Sequence, residues 1–297
     1  MNLKELTVER VHGLLEEHGY ICERELAVTV YLALKLEKPL LVEGAPGVGK
    51  TEVAKVLSRA FNCELIRLQC YEGLDENKAL YEWNYQKQLL KIQMHKEGMG
   101  GDLSESDLFS NDYLLERPLL RALRSGQKTV LLIDEVDKVE EEFEAFLFEL
   151  LSDFQVSIPE MGTLSAANIP IAVLTSNKER ELSDGLKRRC LYLYIDYPSV
   201  EKEVRIITTK VPEAAPKLAR EVALAVSLIR SNRSIWKKPS ISESIDWARA
   251  LVALGAKTLD QETIKQTLGV VLKNKEDMET VTREVGLKAL AAAAQRA

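Results

Sequence analysis

The chain has 297 residues, 46% hydrophobic and 29% charged, with 40 Lys and Arg against 46 Asp and Glu for a formal charge of −6. That composition fits a folded globular protein and excludes a disordered tail or a collagen-like chain; the length suits a core plus one accessory unit. The charge is uneven: residues 199–297 carry 17 basic and 12 acidic side chains, net +5, leaving 23 basic and 34 acidic before them, net −11. An acidic body disfavours a nucleic-acid motor, and opposite signs suit contact between the two parts or between subunits.

Residues 1–10 include Lys4, Glu5, Glu9 and Arg10 and have no apolar core, which argues against a secretory signal. The most apolar stretch, Leu26 to Leu36, contains Lys35 and falls well short of the ~20 residues that span a bilayer. No membrane segment is expected, and the chain is placed in the cytoplasm. Cys22, Cys63, Cys70 and Cys190 show neither CxxC spacing nor a nearby histidine pair, so they read as buried, reduced thiols.

Short runs apolar on both faces recur at Pro39–Glu43, Leu65–Leu68, Thr129–Ile133, Ile169–Leu174 and Leu191–Ile195, with helical patterns between them. Such alternation predicts an α/β fold with a parallel sheet covered by helices. After Pro198 only helical patterns remain: Glu201–Lys210, Ala214–Arg230, Ser242–Leu254, Gln261–Lys273 and Asp277–Ala294. The expected division is an α/β unit over 1–198 and an all-helical unit over 199–297.

The chemistry concentrates at strand ends. Gly44-Ala45-Pro46-Gly47-Val48-Gly49-Lys50-Thr51 fits GxxxxGK[ST] between a strand and a helix whose apolar face is Val53, Val56, Leu57, Ala60 and Phe61. Glycines let backbone N–H groups curl round a phosphate at a helix N-terminus; Lys50 then neutralises β/γ oxygens and the Thr51 hydroxyl ligates Mg2+. The strand Thr129–Ile133 delivers Asp134 and Glu135 at its C-terminal end, the edge where ligands of parallel sheets gather. Asp134 suits the Mg2+ hydration shell and Glu135 the polarisation of an attacking water, whereas Asp137, Glu140, Glu141 and Glu142 read as a solvated acidic turn. The strand from Ile169 ends in Asn177, placed to orient water should that strand lie between the other two. Arg188 and Arg189 end a helix before the last strand. Cations there complement a helix dipole, but a guanidinium also suits developing phosphoryl charge as a finger into a neighbouring subunit.

In their order and spacing, GAPGVGKT, VLLIDE, the Ser176-Asn177 strand end and KRRC resemble the AAA+ ATPases. Leu65 to Asp75, Leu80 to Tyr85, Glu116 to Leu123 and Leu186 to Pro198 resemble, more narrowly, the MoxR branch associated with carbon monoxide dehydrogenase maturation. The resemblance implies strand order 5-1-4-3-2, a helical lid, ATP and Mg2+ as cofactors, and a homo-oligomer, usually a hexameric ring with nucleotide between subunits. It implies two inserts, about residues 71–101 and a β-hairpin at about 154–166. The hairpin has its own signal: Gln155-Val156-Ser157-Ile158-Pro159 alternates, Glu160-Met161-Gly162 can turn, and Thr163-Leu164 resumes. A partner with a von Willebrand factor A domain and a metalloenzyme client follow from the same likeness, with no nucleic acid expected. One departure stands out: Glu243 occupies the place of the lid's usual nucleotide-sensing arginine, leaving Lys237 or Lys238 as substitutes. Alternatives from other classes are a DNA-directed motor or loader and a nucleotide-gated scaffold with negligible turnover.

Overall fold

The computed structural model describes residues 6–97, 105–159 and 161–295. Residues 98–101 of the expected insert and Glu160 of the expected turn lie outside them.

Two helices lead, α1 (Val8–Glu17) and α2 (Arg24–Leu36), the second burying Leu26, Ala27, Val30, Ala33 and Leu34 at helical spacing. Strand β1 (Leu40–Gly44), fully buried, runs into the glycine-rich loop and α3 (Lys50–Phe61). Next come β2 (Glu64–Gln69), α4 (Glu76–Ala79), β3 (Tyr81–Trp83), α5 (Tyr85–Lys96), α6 (Glu105–Leu108), β4 (Leu114–Glu116) and α7 (Pro118–Arg124). Strand β3 pairs antiparallel with β4 as a separate two-stranded ribbon. Strand β5 (Thr129–Asp134) and helix α8 (Glu141–Asp153) follow. The chain then forms the antiparallel hairpin of β6 (Gln155–Ile158) and β7 (Gly162–Ser165), and continues through β8 (Ile171–Ser176), α9 (Asp184–Arg189) and β9 (Leu191–Ile195).

The five-stranded sheet has the order β2-β5-β8-β1-β9, which is 5-1-4-3-2 read from its other edge with only these strands numbered. The pairings β1–β8, β5–β8 and β2–β5 are parallel, with Leu40 opposite Val173, Leu132 opposite Val173 and Gln69 opposite Asp134. All residues of β5 and β8 are buried, as central strands covered on both faces require. The edge strands depart from the sequence reading: β2 and β9 alternate between buried and exposed positions, because only one neighbour and one packed face cover them. Tyr192 and Tyr194 stand outward on β9.

The remaining helices are α10 (Val200–Lys210), α11 (Pro216–Ser231), α12 (Ile241–Ala253), α13 (Gln261–Val271), α14 (Lys275–Thr280) and α15 (Leu287–Gln295). The single helix expected over Asp277–Ala294 is broken: after α14 comes a π turn at Val281–Val285, and Gly286 then takes φ 75°. A left-handed residue cannot continue a right-handed helix, so the chain restarts at Leu287.

Two compact units divide the chain. The first comprises Met1–Leu14, Arg24–Glu43 and Thr51–Tyr194; the second comprises Leu15–Glu23, Gly44–Lys50 and Ile195–Ala297. The core of the first packs Leu131, Ile133, Leu174, Leu119, Leu123 and Leu147 around the sheet. That of the second gathers Trp247, Leu218, Val222, Ile229, Ile264 and Leu290, the Trp247 indole donating to Thr267 Oγ1 at 2.7 Å. Within the second unit, Glu203 is fully buried and accepts from Arg230 at 2.6 and 2.9 Å, while Arg230 Nε donates to the Pro239 carbonyl at 2.7 Å. Residues 15–23 belong to this unit through Glu16–Arg205 at 2.9 Å and Glu23–Lys202 at 3.0 Å. Cys22, Cys70 and Cys190 are buried, but Cys63 is only half-buried.

Candidate functional site

In the first unit the side chains at the ends of three neighbouring strands meet at Asp134, the last residue of β5, which is 3% exposed. Its Oδ1 accepts from Thr51 Oγ1 at 2.9 Å and from Thr175 Oγ1 at 2.5 Å; its Oδ2 accepts from Arg67 Nη2 at 2.6 Å and Nε at 3.1 Å. The sheet order creates this convergence. Strand β8 beside β5 presents Thr175, β2 on the other side presents Arg67, and Thr51 opens the first turn of α3. Thr51 and Asp134 are two hard oxygen donors at one spot, the donor set that suits Mg2+.

Glu135 has φ 58°, a left-handed conformation uncommon for a non-glycine residue, reached as the chain turns sharply out of the strand. Its N–H is fixed by the Thr175 hydroxyl at 2.9 Å, and its carboxylate accepts from Gln69 Nε2 at 3.0 Å and Lys138 Nζ at 2.8 Å. The bond to Glu135 raises the Lys138 ammonium pKa above its ordinary value. Behind this cluster Cys70 is buried, and burial, reinforced by the negative charges of Asp134, Asp137 and Glu135, pushes its thiol up to about 12. Such a shift favours the neutral thiol over the thiolate.

Asn177 follows β8, its backbone N–H donating to Asp137 Oδ2 at 3.1 Å; Glu179 N–H donates to the same oxygen at 2.9 Å. This corrects the reading of Asp137 as part of a solvated turn. It is 4% exposed and organises the 177–179 turn, a role invisible in a run of acids because only the fold shows which one points inward. Arg188 and Arg189 are exposed at the C-terminus of α9, and the Arg189 guanidinium lies 4.9 Å over the Phe148 ring rather than at the Asp134 cluster. The buried Glu144 sets the start of that helix by accepting from Arg180 and, at 2.8 Å, from the Ser183 N–H.

In the second unit the loop from Gly44 to Lys50 curls round the Lys50 side chain. The Lys50 ammonium is buried and donates to the Gly44 and Ala45 carbonyls, both at 2.8 Å. Val48 is buried, Ala45 and Gly49 are half-buried, and Pro46 and Gly47 are exposed. Gly47 takes φ 75°, and a Cβ there would collide with Ser240; the Ser242 hydroxyl donates to the Gly47 carbonyl at 3.2 Å. The start of α12 thus lies against the loop. Glu243, three residues into that segment, accepts from the Ser240 N–H at 2.9 Å and from its hydroxyl, closing a capping box. Its carboxylate is committed to holding the helix end, while Lys237 and Lys238 are exposed.

Sequence reasoning passed over Arg67, Gln69 and Thr175, the side chains that grip Asp134 and Glu135. A signal for the first two existed: Arg67 and Gln69 alternate on one face of an otherwise apolar strand, and a strand polar on one face at its tip faces something polar.

Residues 39–190 match the family model "AAA domain (dynein-related subfamily)". An uncharacterized protein of Staphylococcus epidermidis is 26% identical over 230 residues, covering 74% of this chain and 78% of that protein. One from Staphylococcus haemolyticus is 25% identical, covering 74% and 77%. Among solved structures, the RuvB Holliday junction branch migration motor of Thermotoga maritima is similar in fold with a TM-score of 0.51. The two are 17% identical, covering 89% of this chain and 76% of that one. No helix among the described residues is long and apolar enough to cross a membrane. With more than half of its length matched, including loop, carboxylate-tipped strand and inserted strand, the chain belongs to the AAA domain family, dynein-related subfamily.

Proposed function

We propose that the chain is a MoxR-type AAA+ ATPase that works as a ring, in the expected form a hexamer, and remodels a client protein. The observation that carries the reading is the 2.9 Å contact of the Thr51 hydroxyl with the Asp134 carboxylate at the mouth of the sheet. Lys50 exchanges its loop carbonyls for the β/γ oxygens of ATP, and Gly44 to Gly49 supply backbone N–H groups. Thr51 and Asp134 would hold Mg2+, which would supply positive charge against the phosphoryl group. Glu135 leaves Gln69 and Lys138 to accept a proton from water that Asn177 orients, and a neighbouring copy's Arg189, or Arg188 beside it, completes the site. The lid and core are taken as 199–297 and 1–198. The motif likeness supports a client in metalloenzyme maturation and a von Willebrand factor A partner.

Turnover by the purified protein tests the catalytic part. Lys50→Ala is expected to abolish nucleotide binding. Glu135→Gln keeps binding and loses about 10^2–10^4 in turnover, and Arg189→Ala loses about 10^3 or more. Normal turnover in the first two variants overturns the reading. Affinity capture with nucleotide-trapped Glu135→Gln protein tests the client; ATPase stimulation by DNA that fades steeply with salt replaces the client with nucleic acid.

A further inference from the structure

The connection from α11 to α12 carries a tryptophan that the ATPase reading does not use. Trp236 is 91% exposed, whereas the other two tryptophans, Trp83 and Trp247, are buried. Its backbone is anchored by hydrogen bonds. Ile235 is buried beneath it, and the N–H groups of Trp236 and Lys237 donate to the two oxygens of buried Asp277 at 2.8 and 3.0 Å. Arg233, Lys237 and Lys238 surround it, all exposed, with no acid between Asn232 and Ser240. A large aromatic held out by a fixed backbone and flanked by cations costs little entropy to dock, which is the signature of an interface anchor.

A complementary surface exists on the first unit. A hollow beside α8 is lined by Phe146 and Phe148 with Glu76, Glu149 and Asp153 as its acids and Arg189 as its base. These charges sum to −2, against +3 on the loop. Burial, with Glu149 nearby, raises the Glu76 carboxyl above its ordinary value, and a cation seated among these acids would relieve the repulsion between Glu76 and Glu149. The chain as a whole carries the same opposition, −11 before residue 199 and +5 after it.

We propose that the Trp236 loop is a docking peg for a second copy of this chain, its indole and flanking lysines seating in the acidic, phenylalanine-lined hollow beside that copy's α8. The contact is heterologous: each copy offers one peg and one hollow, so successive copies add head to tail and close into a ring when the rotation permits. Arg189 lines the hollow, and the contact therefore brings its guanidinium to the boundary between copies. The inference rests on the ring of the proposed function and names the surfaces that join its copies; the placing of Arg189 rests on the ATPase reading as well.

The test is sedimentation velocity on the full chain, with and without Mg2+ and ATPγS, together with iodide quenching of tryptophan fluorescence. Wild-type protein is expected to assemble in at least one condition, and its quenchable fluorescence to fall as it does. Trp236→Ala weakens assembly by about 30-fold or more, the effect of losing a hot spot. Lys237→Glu/Lys238→Glu and Glu149→Lys/Asp153→Lys each fail to assemble alone. Mixed, they co-assemble, because each supplies the charge the other lacks. All four positions are exposed, and circular dichroism with thermal melting checks that both variants fold. Monomeric wild type in every condition overturns the proposal, as does unchanged assembly in the Trp236 and charge variants, or a mixture that stays apart. Single-stranded DNA that shields Trp236 while assembly is unaffected overturns it in favour of nucleic acid. ATP turnover lost with assembly intact counts against the catalytic assignment and leaves the peg standing.

Discussion

Asp134 is buried, negative and satisfied by three side chains from three elements, and the energetics of the cluster turn on how those partners are shared. The Thr175 hydroxyl has two tasks, donating to Asp134 and accepting the N–H of left-handed Glu135. Thr175→Val keeps the shape and removes both, leaving the Glu135 N–H without its partner and Asp134 Oδ1 with the Thr51 hydroxyl alone. The expected cost is about 1–3 kcal/mol in urea unfolding with an unchanged m-value. A loss below about 0.5 kcal/mol shows that the hydroxyl does not hold the turn. At this scale the sequence was half legible. The acids at the strand tip announce themselves by type and place, whereas Arg67 and Thr175 are ordinary residues whose relevance depends on which strands become neighbours. Asp137 shows the converse limit: its sequence neighbours are solvated acids, and only the turn at 177–179 gives it a buried task.

Elements were easier to read than their edges. Strands β5 and β8 are apolar throughout because both faces are covered, so their existence shows in composition alone. Exposure of β2 and β9 does not show there, since being at an edge is a property of the sheet order. The interruption at Val281–Val285 escaped notice because the surrounding segment keeps helical spacing and a lone glycine is tolerated in many helices. Contact between the loop and the start of α12 was equally hidden, as it joins residues almost two hundred positions apart. Gly47 and Gly73 share nearly the same backbone angle, φ 75° and 76°, but Gly73 has nothing within 4 Å of a built Cβ, whereas Gly47 faces Ser240. Alanine at either position bears the left-handed strain, about 1 kcal/mol. Gly47→Ala is expected to lose roughly 1–3 kcal/mol more, by overpacking against Ser240, and to weaken nucleotide binding where Gly73→Ala does not. Thermal melts and a fluorescent-ADP titration of the pair measure the difference, and equal losses show that Ser240 yields without cost.

For the whole molecule, packing groups together residues that composition keeps apart. The change of character after Pro198 marks where strands stop, but packing assigns Gly44–Lys50 and Leu15–Glu23 to the later unit as well. If the units open at different denaturant strengths, amide exchange at Val48, Gly49 and Lys50 is expected to follow α12 rather than β5. Exchange in step with β5 shows instead that the loop is stabilised by the strand it leaves. The capped start of α12 thus acts as a splint for the glycine-rich loop, which the proposed function makes the phosphate grip. On the proposed function, a lesion deep in the helical bundle, far along the chain from GAPGVGKT, would surface first as a failure to hold nucleotide while the sheet itself stayed intact.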